Sequence, residues 1–67
     1  MRYEFRVDGM LSEEARSVFP GMRIVELAPQ TQIDGEVIDD SHLHGILAQL
    51  AALDLTVISV LPDPPPG

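Results

Sequence analysis

The 67-residue chain has no cysteine. That one absence removes disulfides, thiolate metal sites, iron–sulfur clusters and thiol nucleophiles together. It also gives no reason to place the chain in an oxidising compartment. Lysine is missing too, so the cations are four arginines set against eleven Asp and Glu, for a formal net charge of −7. Nucleic-acid binding depends on basic side chains that neutralise phosphates, and anionic membrane surfaces attract the same groups. The expectation is therefore no nucleic acid and no membrane among the partners. No stretch reaches the ~18 apolar residues that a spanning helix requires. The opening residues alternate charged and apolar side chains, which is not the continuous apolar core of a signal peptide. The cytoplasm is the expected compartment.

A chain of this length makes one domain, and one that buries only about 60% of the surface its unfolded state exposes. Small domains compensate with disulfides, a structural metal or a partner. Here oligomerisation is the reinforcement that composition leaves open.

What is present reads as six elements. Arg2-Tyr3-Glu4-Phe5-Arg6-Val7 alternates polar and apolar residues, the period of a strand with one face on a core and one in water. Tyr3, Phe5 and Val7 form the inward set, and Asp8-Gly9 breaks the pattern. Ser12 is a natural helix N-cap with Glu13 and Glu14 in the first turn. Ala15, Val18 and Phe19 supply an apolar stripe, and Pro20-Gly21 stops a helix of about two turns. Met22 to Ala28 and Thr31 to Ile38 are extended runs joined at Pro29-Gln30, a hairpin with proline at the first central position of the turn. In the second run Thr31, Ile33, Gly35 and Val37 are the inward set. The faces of the first run stay open, because Arg23, Val25 and Leu27 and their alternates Met22, Ile24 and Glu26 both include apolar residues.

Asp39 or Asp40 caps a second helix, in which Leu43, Ile46, Leu47, Leu50 and Leu53 repeat at the spacing of a buried stripe. Leu55 to Leu61 reads as a last strand. Residues 62–67, proline-rich, read as an extended tail, leaving a single domain over residues 1–61. The order βαββαβ predicts an α+β, ferredoxin-like two-layer sandwich. Its four-stranded antiparallel sheet carries both helices on one face.

Groups able to carry chemistry are few. His42 and His44 follow Asp39 and Asp40, but ligands on a helix need spacings of three or four to share a face. The two histidines diverge by roughly 200°, and Asp40 with His44 makes only a pair. Capped helix start and flanking histidines is the better account, and no metal or cofactor is expected. Asp34 and Glu36 share a strand face, yet acid–base work needs a low-dielectric pocket to move a pKa. Beside Arg2, Glu4 and Arg6 they read as a solvated ladder of mixed charge. None of Ser12, Ser17, Ser41 and Ser59 sits in a Gly-x-Ser-x-Gly turn, the glycines are too dispersed to cradle a phosphate, and Tyr3, Phe5 and Phe19 are explained as core. The expectation is that the protein is not an enzyme.

The anomaly lies in the second helix. From Ser41 to Leu53 it has no formally charged residue, and the side opposite its apolar stripe is Gly45, Ala48 and Ala52, flanked by His44, Gln49 and Ala51. Gly45 costs up to about 1 kcal/mol relative to alanine in a helix interior. Small residues at this spacing let another backbone come close. The last strand is the second anomaly: Thr56, Ile58 and Val60 alternate with Leu55, Val57 and Leu61, so it is apolar on both sides. At a sheet edge such a strand needs a cover, either the proline tail folded over it or another chain paired with it. His44, Gly45, Ala48, Gln49, Ala52, Thr56, Ile58 and Val60 are thus the candidate interface residues.

Tyr3 to Val7, Leu11-Ser12, Gly35-Glu36-Val37 with Asp39, Leu43-His44-Gly45-Ile46-Leu47 and Leu53 to Val60 together cover most of the chain. In these residues it resembles short, uncharacterised proteins of high-GC Gram-positive bacteria. The resemblance implies no activity, cofactor or binding residue. Those proteins tend to have glycine between the second helix and the last strand, where this chain has Asp54, which implies a differently built helix end.

The function expected from these readings is a non-catalytic interaction module, self-associating as a homodimer or docking on another protein. The alternative is a regulatory domain that binds a small metabolite at a dimer interface.

Overall fold

The computed structural model describes residues 1–62. Its elements follow the expected order: β1 (Arg2–Asp8), α1 (Glu13–Arg16), β2 (Arg23–Leu27), β3 (Gln30–Glu36), α2 (Asp40–Ala52) and β4 (Thr56–Pro62). The strands form one sheet in the order β2-β3-β1-β4, and every neighbouring pair is antiparallel. This is the ferredoxin-like arrangement, with β1 central and β4 at the edge beside it. No helix among the described residues is long and apolar enough to cross a membrane.

The period-2 pattern of β1 sets which face is covered. Phe5 and Val7 are fully buried, as are Thr31 and Ile33 of β3, and with Val37 just after β3 the apolar ones share one core with Ala15, Phe19 and, from α2, Ile46 and Leu50. Thr31 is tolerated in this core because its hydroxyl donates to the Gly9 carbonyl at 2.7 Å. Gly35 is needed for space: a Cβ there would come within 3.0 Å of the Met22 side chain and 3.3 Å of its Cα.

Several expectations are corrected. The α-helical part of α1 is a single turn. Beyond it the Val18 and Phe19 amides bond back to Ala15 and Arg16, three residues earlier, and the Ser17 hydroxyl takes the Glu14 carbonyl at 2.7 Å. Such tight turns replace the helix where a serine offers the backbone another partner ahead of Pro20. The hairpin pairs Leu27 with Gln30, so its central residues are Ala28 and Pro29, one position earlier than expected; the bond between them is cis. The same register settles the faces of β2, with Ile24 opposite Ile33 on the core side and Arg23 opposite Asp34 on the open side. Pro62, expected in the tail, closes β4 opposite Tyr3; residues 63–67 lie outside the described part.

Both helix starts are capped as the sequence indicates, Ser12 accepting from the Ala15 amide and Asp39 from that of His42. The end of α2 differs in residue type but not in geometry. Asp54 has φ +58, its amide reaches the Ala51 carbonyl, and that of Leu55 reaches Leu50, both at 3.0 Å. This is the Schellman arrangement that glycine normally completes. A residue with a Cβ in that conformation costs on the order of 1 kcal/mol. Asp54→Gly is expected to raise the unfolding free energy by up to about 1 kcal/mol, read as a higher urea midpoint at unchanged slope. A lower midpoint would mean that the aspartate side chain contributes more than its backbone strain costs.

Candidate functional site

The outer side of α2 faces solvent. His44, Gly45, Ala48, Gln49 and Ala52 are all exposed, while Ile46 and Leu50 on the inner side are buried. Gly45 has a property the sequence could not reveal: a Cβ built there meets nothing within 4 Å. Unlike Gly35, it makes room for no neighbour among the described residues.

The other candidate residues lie on β4, at the free edge of the sheet, but not on one face. The pairing of β1 with β4 shifts register between Arg6 and Val7, matching Arg6 to Ser59 and Val7 to Val57, so Ile58 is an extra residue. Thr56 therefore shares the open side with Asp8, while Val60 sits opposite Phe5 and packs on the core. The expected alternation fails because a bulge places two residues against one. Exposed apolar surface on this edge comes from Val57 (36%), Ile58 (47%) and Leu61 (54%). Val57 and Leu61 lie outside the candidate set: Val57 falls opposite Val7 on the core side and Leu61 opposite Glu4 on the open side, and no residue type marks the bulge between them.

The open face of the sheet departs from the expected wet ladder. Asp34 is only 3% exposed and accepts from Arg2 at 2.9 Å and Arg23 at 3.3 Å, arriving from the strands on either side. Two long arginine stems shield it while their charged heads stay solvated. Arg6 pairs with Glu4 at 3.0 Å, and Arg16 joins Glu26 across α1 and β2. All four arginines are thus ion-paired. Glu36 is separated from Asp34 and is exposed. The Met1 ammonium donates to its carboxylate at 2.7 Å and, with Arg2 nearby, holds the Glu36 carboxyl below the usual carboxylate range.

His42 belongs to the helix start. Its Nδ1 accepts from the Ile38 amide at 3.0 Å, and its own amide donates to Asp39 at 2.8 Å. His44 stands apart on the exposed flank, as the 200° separation requires. No group of three or more His, Asp or Glu able to hold a metal occurs among the described residues. A cavity of about 100 Å³ opens between the start of β1 and the N-terminus of α2, lined by residues including Tyr3, Ile38 and Leu43. Small-molecule sites run to about 300–1,000 Å³, so this recess is below their size.

Comparison with known proteins gives one match. Residues 2–61 fit a family model described as a domain of unknown function, DUF8691. No curated protein and no solved structure matches.

Proposed function

We propose that this chain, which belongs to the DUF8691 family, is a non-catalytic protein-interaction module that docks through α2, through β4, or through both. The observation that carries the reading is Gly45. It sits on the exposed side of a helix where glycine costs up to about 1 kcal/mol relative to alanine, and no group among the described residues occupies the space it leaves. A residue that weakens its own helix and serves no internal contact is explained by an outside surface that comes close there.

The fate of the ionisable groups supports the non-catalytic part. Asp34 is committed to two arginines, Glu36 to the Met1 ammonium and His42 to the helix cap. The pairing of every arginine likewise argues against a basic patch for nucleic acid. The lesser reading is a metabolite-binding regulatory domain with its ligand between two copies, since the recess at the start of α2 is below the size of a small-molecule site.

Ala48→Glu tests the module. Ala48 is exposed, so the variant is expected to keep its far-UV circular dichroism and to change unfolding by no more than about 0.5 kcal/mol. Its light-scattering mass across a concentration series should fall toward 7.3 kDa relative to the parent. Equal masses at every concentration would remove α2 from the interface.

A further inference from the structure

We propose that the open face of the sheet binds a phosphate group, that of a small phosphorylated molecule, through Arg2, Arg6 and Arg23. The site lies on the side of the sheet away from the core and does not depend on the interaction-module reading.

Register brings the residues together. Glu4 of β1 stands directly opposite Asp34 of β3, and Arg23 of β2 stands opposite Asp34 on its other side. Arg2 and Arg6 flank Glu4 along β1, and Arg6 is opposite Gln32. Arg2 reaches one Asp34 oxygen and Arg23 the other, while Arg6 donates to Glu4 at 3.0 Å and to Gln32 Oε1 at 3.3 Å. The Gln32 side-chain amide closes the network on Asp34 at 3.5 Å. Three guanidiniums from two strands thus surround one pair of carboxylates.

The network costs more than a structural role explains. Like charges directly opposite on a sheet are destabilising, and sealing a carboxylate from water is costly unless it is paired. Asp34 is sealed on the face opposite the core, so its burial adds no packing there. What its two ion pairs do is fix the heads of Arg2 and Arg23. Side-chain exposure then separates the signs: 46%, 36% and 70% for Arg2, Arg6 and Arg23, against 24% for Glu4 and 4% for Asp34. Carboxylates form the floor and guanidiniums the surface.

Donors are left over. A guanidinium presents N–H groups on each of its nitrogens, and those engaged are Nη2 of Arg2, Nε of Arg23 and Nη2 of Arg6. The Arg6 Nε is buried and meets no acceptor among the described residues. An oxygen from outside the chain supplies the bond it lacks once the side chain turns outward.

Charge and shape select the ligand. The arginines contribute +3 and Asp34 with Glu4 −2, which leaves the cluster at +1 in a chain of net −7. Of the other acids on this face, Glu36 is paired with the Met1 ammonium and Asp8 lies at the far end of β1. Guanidiniums approaching from three sides suit a tetrahedral oxyanion, which offers an oxygen to each; a carboxylate has only two. A nucleic-acid backbone sets many phosphates against the acidic remainder. A single phosphate meets only the cluster within a Debye length of ~8 Å.

The probe is inorganic phosphate, titrated into the full chain at constant pH and ionic strength with chloride as the balancing anion. Two-dimensional NMR follows the arginine Nε–H signals and the backbone amides. Saturable shifts confined to Arg2, Glu4, Arg6, Arg23, Gln32 and Asp34 are expected. Arg23→Gln removes a charge-assisted contact and should weaken the complex about tenfold, while Arg16→Gln, at the ion pair with Glu26, should not. Asp34→Asn separates positioning from charge. It raises the cluster to +2, so charge alone would tighten phosphate, whereas loss of the positioning contacts should weaken it severalfold. Circular dichroism checks that each variant is folded. Shifts that are absent, that spread evenly over the chain, or that persist unchanged in Arg23→Gln overturn the site. An equal response to acetate overturns phosphate as its class, and a tighter Asp34→Asn complex overturns the positioning role. If Asp34→Asn fails to fold, Arg23→Gln decides alone.

Discussion

Phe5→Ala should remove about 3–5 kcal/mol of stability, out of the roughly 3–10 kcal/mol that a domain of this size possesses. The expected result is a chain unfolded in a large part of its population at room temperature. Phe5 is fully buried on the central strand, with Ile33 of β3 on one side and Val60 of β4 on the other, and its ring lies 6.2 Å from that of Tyr3. Both neighbouring strands and both helices close around it, so a cavity there has few flexible groups to fill it. Urea unfolding read by circular dichroism gives the value. A loss below about 1 kcal/mol would show that the core collapses into the gap, and that its packing does not depend on this ring.

Leu50→Ala is the second large effect, at about 2–5 kcal/mol. Leu50 is fully buried on the inner side of α2, and its carbonyl accepts the Leu55 amide at the helix end. The substitution leaves that bond intact, so the loss measures packing alone. Its informative partner is Ala48→Glu, two residues away on the solvent side. Thermal melts of both should separate widely, the first unfolding far below the parent chain and the second close to it. Similar shifts would mean that the two sides of α2 are not distinct in the way burial indicates.

Most of the fold was readable because its periodicities are strong. Strict alternation from Arg2 to Val7 and the leucine–isoleucine stripe of α2 each specify a single buried face, and six elements in that order leave few ways to assemble a sheet. Features set by tertiary register were not readable. The faces of β2 depend on where the hairpin turns, and both sets of its side chains contain apolar residues. The burial of Asp34 depends on arginines from two strands that are distant in sequence. The bulge at Ile58 has no marker in residue type and leaves Thr56 and Val60 on opposite faces of the sheet.

The candidate surface divides in the same way. An uncharged helix face in an acidic chain stands out in the sequence, so His44, Gly45, Ala48, Gln49 and Ala52 could be named beforehand. That Gly45 faces open space, where Gly35 is crowded by Met22, emerges only from the coordinates. Two glycines identical on paper stand in opposite surroundings.

The position of β1 between β3 and β4 also has a consequence in time. Of the four strands of this sheet β1 is made first, yet it becomes an inner strand, and one of its two neighbours is the last element of the fold. Until Thr56 to Pro62 has emerged, a nascent chain holds its central strand with one flank open. Contacts between such distant parts of a chain close slowly. The sheet is thus complete only once β4 has been made, and a chain stopped before β4 would carry β1 as an uncovered edge.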